Sequence, residues 1–124
     1  MVLSRRVSGP VFDGGRTCGP AGREAAAYVR TIADGAPWDV VVVDRMGRST
    51  CARAAVDHLS ANALVILDDT AKPESRQAQH ALAAVGMGRT DFWGFKRGSR
   101  VRRCTTAFSR DFNHWLLRPT VPVR

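Results

Sequence analysis

Trp38-Asp39-Val40-Val41-Val42-Val43-Asp44 and Ala63-Leu64-Val65-Ile66-Leu67-Asp68-Asp69 are two apolar runs that each end in aspartate, and they decide the fold. Val40, Val41, Val42 and Val43 form a continuous β-branched run, which marks a strand covered on both faces. Between the runs the period is helical, because Ala52, Ala55, Val56 and Leu59 fall on one face. Strand, helix, strand in that order implies parallel pairing through a right-handed crossover. The acids at both carboxyl ends then line the edge where open parallel sheets bind ligands.

Working outward, Ser49 or Thr50 suits the start of the middle helix, and Asn62 suits its left-handed stop. An earlier helix places Ala25, Val29, Ile32 and Ala33 on one face and ends at Gly35 and Pro37. A later one opens at Pro73, with Glu74 in its first turn. It buries Ala78, Ala81, Leu82 and Val85, and Gly86 stops it. Residues 91–95 and 104–108 read as two strands around a basic loop. Their connection is too short for a crossover helix, so they pair antiparallel. The breakers Gly9-Pro10, Gly14-Gly15 and Gly19-Pro20 limit the first residues to short pieces, with one strand expected over 7–12. The expected organisation of residues 1–124 is a single domain. It comprises an irregular segment 1–21, an α/β core 22–110 and a tail 111–124 whose Trp115-Leu116-Leu117 packs on the body.

A chain of 124 residues supports one small core. With 44% apolar and 24% charged residues the composition is that of a globular protein rather than a disordered one. No apolar run approaches the roughly 20 residues of a membrane helix, and the residues after Met1 lack a secretory signal's apolar centre. Cys18, Cys51 and Cys104 are too few and too scattered for a disulfide framework or a zinc site, so a reduced, cytoplasmic protein is expected. The net charge of +8 comes almost wholly from arginine, and Lys96, Arg97, Arg100, Arg102 and Arg103 crowd one segment. Such a cluster binds phosphates or is simply a solvated loop. No recognised nucleic-acid motif accompanies it, which favours the solvated loop. Phe92 and Trp93 are read as core and rim rather than as a stacking platform.

The stretches Tyr28-Val29-Arg30-Thr31-Ile32, Trp38 to Asp44, Arg48 with Cys51, Leu64 to Asp69, Asp91-Phe92-Trp93-Gly94 and Cys104-Thr105-Thr106 together resemble the carboxyl-terminal half of class I S-adenosylmethionine-dependent methyltransferases. The likeness spans roughly residues 24–110. It implies a partial three-layer Rossmann-like sheet of parallel strands plus a C-terminal antiparallel hairpin, the final strand inserting beside the one that ends in Asp68-Asp69. It also exposes a deficit, because that family holds its cofactor on a Gly-rich loop and an acid-ended strand in the first half of the sheet. Gly14-Gly15 is not followed by the required glycines. The valine-rich strand then has an unpaired edge. Either the N-terminal segment folds over it, another chain such as a second copy supplies the missing strand, or the amino-terminal half has been lost, which is the simplest account.

The resemblance also implies roles. Asp44 and Asp68 match acids near the reacting centre, and Asp44 with Arg45 borders the cofactor. Where relatives usually carry Gly after that acid, this chain has Arg45-Met46, which crowds the site. In the metal-dependent branch Asp44, Asp68 and Asp69 would hold Mg2+; in the metal-free branch the same acids cap helices or bond loop amides, and catalysis is mostly positioning. Arg48 pairs with a strand-end acid or is solvated, and Arg48, Trp93 and Thr105 are the candidate substrate contacts. Cys51 reads as a small buried residue, and His58, His80 and His114 share no ligand spacing. The expected function is methyl transfer from S-adenosylmethionine to a small-molecule oxygen or nitrogen, through an incomplete cofactor site. The alternatives are a non-catalytic domain pairing through its strand edge and a basic nucleic-acid-binding module.

Overall fold

The computed structural model describes residues 2–4, 30, 32–44 and 47–116. The strand expected over 7–12, the Gly14-Gly15 pair, most of the first helix, Cys18 and Arg45 lie outside the described residues.

Residues 32–34 are helical, and the chain turns at Gly35 into β2 (Trp38–Val43). The Trp38 indole donates a 2.7 Å hydrogen bond back to the Ile32 carbonyl. A side chain on Gly35 would collide with that ring, which is why glycine stands there. β2 is followed by α1 (Arg48–Val56), β3 (Leu59–Leu67), a 3-10 turn (Pro73–Ser75), α2 (Arg76–Ala84), β4 (Gly88–Phe95) and β5 (Arg102–Ser109). A short β1 (Val2–Ser4) precedes them all.

The five strands form one open sheet in the order β1-β2-β3-β5-β4. β2 and β3 are parallel, with Val41 opposite Val65 and Val43 opposite Leu67. Every other pairing is antiparallel, and β5 lies between β3 and its own hairpin partner β4. Mixed α/β architecture and an inserted last strand match expectation. Of the expected fates of the valine strand's edge, cover by the N-terminal segment is the one seen: Val2, Leu3 and Ser4 pair antiparallel with Val42, Val41 and Val40, so the strand is flanked on both sides.

One core joins the sheet to both helices. Val41, Val43, Ala63, Val65, Leu67 and Phe108 cluster with Cys51, Ala52 and Ala55 of α1 and Ala78 and Leu82 of α2. α1 and α2 therefore cover the same face of the sheet. On the other face Val40, Val42, Leu64 and Ile66 are half-buried. Among the described residues the sheet carries one helical layer, not the two that a three-layer fold requires.

The start of β3 departs from the sequence reading. α1 ends at Val56, and Leu59 to Asn62 continue as strand rather than helix. The Trp38 amide bonds the His58 carbonyl at 2.8 Å and draws the chain into the sheet. Trp38 pairs with Leu59 but Val40 with Leu64, so Ser60, Ala61 and Asn62 bulge out of the ladder. Their carbonyls find other donors: Arg110 bonds those of Ser60 and Ala61, and the Trp115 indole bonds that of Asn62 at 2.8 Å. This last contact fulfils the expected packing of the tail, although Leu116 stays 72% exposed and Leu117 is outside the described residues.

Candidate functional site at the carboxyl ends of β2 and β3

Parallel pairing brings the two acid-ended strands to one edge, as the sequence requires. What happens there depends on Asp69. Its backbone adopts φ +55°, the left-handed region that aspartate tolerates better than most residues. This turn sets its carboxylate among three cations. Lys72 lies at 3.0 Å, Arg103 at 3.0 Å and Arg48 at 3.3 Å, the last two donating hydrogen bonds. Burial pushes the Asp69 carboxyl up, but the Lys72 hydrogen bond and charge, with Arg103 and Arg48 behind them, outweigh it. The group is held below the usual carboxylate range.

The three acids play unlike parts. Asp69 is a charge anchor, already saturated. Asp44 is exposed and, among the described residues, pairs with Arg48 alone, at 3.6 Å. Asp68 accepts a 2.7 Å hydrogen bond from the Thr105 hydroxyl through Oδ1, and its Oδ2 has no hydrogen-bond partner among the described residues. Two clefts flank this rim. One, of about 540 Å³, runs along the helix starts past Arg48, Ser49, Asp69, Lys72 and Glu74. The other, of about 440 Å³, is bounded by Asp68, Phe92, Trp93, Phe95, Arg103 and Thr105. Trp93 and Thr105, expected together at a substrate entrance, do line one cleft, and Arg48 lines its neighbour.

The magnesium reading fares poorly on this geometry. A hard cation needs free carboxylate oxygens converging on one point, yet both Asp69 oxygens are taken by cations. Among the described residues no three His, Cys, Asp or Glu side chains converge with ligand geometry. The residues present do not fit the metal. β1 runs antiparallel to β2, so its Ser4 end lies beside Val40 and away from Asp44. Arg45 is outside the described residues.

Behind the rim a polar chain that the sequence did not announce runs from buried Thr70 and Thr106 out to the exposed Asp91 and Arg89 of β4. Thr70 and Thr106 share a hydroxyl contact of 2.7 Å, and Thr106 donates to Asp91 at 2.7 Å. Each hydroxyl has one proton. Since Thr106 spends its proton on Asp91, the Thr70 hydroxyl has one proton to share between Thr106 and the Cys104 carbonyl, 3.1 Å away, which the Thr70 amide also bonds at 2.9 Å. Asp91 also takes Arg89 at 2.5 Å, and Arg89 reaches Gln79 on α2 at 2.9 Å. The Arg89 and Thr106 hydrogen bonds hold the Asp91 carboxyl below its ordinary range, against burial, and Asp91 in turn raises Arg89. The network fastens β4, β5 and α2 together beneath the rim.

At the helix starts, Gly47 at φ +77° precedes α1, and neither Ser49 nor Thr50 caps it. The Ser49 hydroxyl instead donates to the Glu74 carbonyl, joining the two helix starts. Cys51 and Cys104 are buried. Phe92, 61% exposed, corrects the core reading, whereas Trp93, 53% exposed, stands at the rim of its cleft. No helix among the described residues is long and apolar enough to cross a membrane. No protein-family model matches the chain, and no curated protein or solved structure does either.

Proposed function

We propose that this chain is a methyltransferase-type α/β domain that supplies the acceptor side of methyl transfer to a small-molecule oxygen or nitrogen and does not hold S-adenosylmethionine by itself. The supporting observation is the strand order β2-β3-β5-β4, with one parallel pair and a reversed hairpin, which is the arrangement implied by the family likeness. Within it the acids divide their work by environment. Asp69 balances Arg48, Lys72 and Arg103 and fixes the loop. Asp68, oriented by Thr105 and with one oxygen free, is the group able to take a proton from an acceptor hydroxyl or amine. Phe92, which shares its strand face with Thr105, gives the same cleft an apolar wall for an aromatic or aliphatic acceptor.

Catechol is a suitable probe because it offers a phenolic acceptor and a flat ring. In amide-resolved NMR titrations of the chain, catechol should shift Asp68, Phe92, Trp93 and Thr105 together, with or without Mg2+. Asp68→Asn should weaken that response. Shifts elsewhere, or none at millimolar catechol, overturn the acceptor site. Calorimetry with S-adenosylmethionine should show no saturation below the millimolar range. Micromolar affinity would contradict the incomplete cofactor site.

A further inference from the structure

We propose that the β4–β5 hairpin is a binding platform for single-stranded nucleic acid, with bases stacking on Trp93 and Phe95 and phosphates meeting Lys96, Arg97, Arg100 and Arg102. The observation behind it is an outer strand that buries none of its residues. Phe92, Trp93 and Phe95 are 61%, 53% and 69% exposed, three large rings within four residues. Monomeric proteins do not usually leave such a patch in water without a use for it.

Strand geometry sorts the rings. Trp93 stands opposite Cys104 and Phe95 opposite Arg102, so both project from one face, about 7 Å apart. Arg102 already lies against the Trp93 ring, its guanidinium carbon 5.1 Å from the centroid. Phe92 projects from the other face, opposite Thr105. Residues 96–103, the loop and the start of β5, carry five cations and no acid. Among the described residues Arg103 alone of these is paired with an acid, Asp69. Lys96, Arg97, Arg100 and Arg102 pair with no acid among the described residues. The nearest acid on the Trp93 face, Asp91, is neutralised by Arg89.

Uncommitted cations beside exposed rings are the two ingredients of sequence-tolerant single-strand binding: a charged track for the backbone and flat surfaces for the bases. A membrane surface suits the patch less well, since lipid takes up one apolar face and these rings point to both. Pairing of two copies through β4 would bring together two chains that each carry a net charge of +8.

The test is fluorescence anisotropy of the whole chain with a labelled twelve-residue oligo(dT). An unlabelled duplex of equal length, heparin and phosphatidylserine vesicles serve as competitors. Oligo(dT) should bind at 20 mM salt and lose affinity as salt rises. Arg97→Gln with Arg100→Gln should flatten the slope of log K against log salt by about 1.4, at about 0.7 per lost phosphate contact. Trp93→Ala with Phe95→Ala should weaken binding about tenfold or more, with an unchanged melting temperature, and Trp93→Phe should retain most of the affinity. No binding at 20 mM salt overturns the proposal. So does affinity indifferent to the two rings, which is mere polycation behaviour, and so does competition by vesicles that exceeds that by the duplex. Catechol shifts at Asp68 are read separately, so this site and the acceptor site fail independently.

Discussion

β4 and β5 are two strands of one hairpin, eight residues each, and their fates are opposite. β5 buries Cys104, Thr106, Phe108 and Ser109, whereas β4 buries nothing. Phe108 is 1% exposed and Phe95 is 69% exposed, though both are phenylalanines on strands of similar make-up. The cause is position. β5 is inserted beside β3 and lies under α1 and α2, while β4 is the outermost strand. Apolar side chains do not choose burial individually; the topology grants it. The apolar residues left over on β4 are therefore available for recognition, and those on β5 for stability.

Substitutions can break this contrast, the largest effect first. Phe108→Ala should cost about 3–5 kcal/mol in denaturant unfolding, because the site is closed on all sides and leaves a cavity. A loss under about 1 kcal/mol would mean that β5 is not inner. Asp69→Asn keeps a residue that tolerates the left-handed turn but strands three cations, and should cost about 1–2 kcal/mol. Asp69→Ala should cost more, since it adds the backbone penalty. Equal losses would show that the turn carries no strain. Thr106→Val, nearly isosteric, deprives Asp91 and Thr70 of their buried partner and should cost about 1 kcal/mol. Phe95→Ala should stay within about 0.5 kcal/mol of the parent. A loss comparable to that of Phe108 would erase the distinction between the strands.

Acid sharpens the comparison on the polar side. Asp69 and Asp91 have folded-state pKa values below their unfolded ones. Their contribution is therefore complete above the unfolded value, about 3.9, and is lost as pH falls through the folded values. The denaturation midpoint should hold steady from pH 7 to 5 and fall below about pH 4. In Asp69→Asn the acid loss should be smaller. Most of the loss appearing between pH 7 and 5 would contradict both assignments.

How far the sequence reached can be seen residue by residue. Val40 to Val43 announced their strand because nothing else needs four β-branched residues in a row, and residues 104–108 read as a strand flanking the basic loop. Leu59 misled, since its spacing from Ala52, Ala55 and Val56 is perfectly helical. The bond from the Trp38 amide to the His58 carbonyl, a contact across twenty residues of chain, decides otherwise. The acids at the strand ends were legible, but their partners were only half so. Arg48 was an open choice between pairing and solvation and pairs with Asp69. Lys72, three residues on, was overlooked although proximity alone could have suggested it. Arg103 gave no local signal, because the hairpin register delivers it across 34 residues. Cover of the β2 edge by the N-terminal segment was one of the open choices, but Val2, Leu3 and Ser4 could not be singled out for it because three residues carry too little period to be read.

The central claim is that β2 and β3 run parallel as inner strands, with β5 reversed beside β3. Cross-strand nuclear Overhauser contacts in the isotope-labelled chain test it most directly. The account predicts the parallel pattern linking Val41 with Val65 and Val43 with Leu67, and the antiparallel pattern linking Val65 with Phe108. An antiparallel pattern between residues 40–43 and 64–67, or helical contacts in either run, would contradict it.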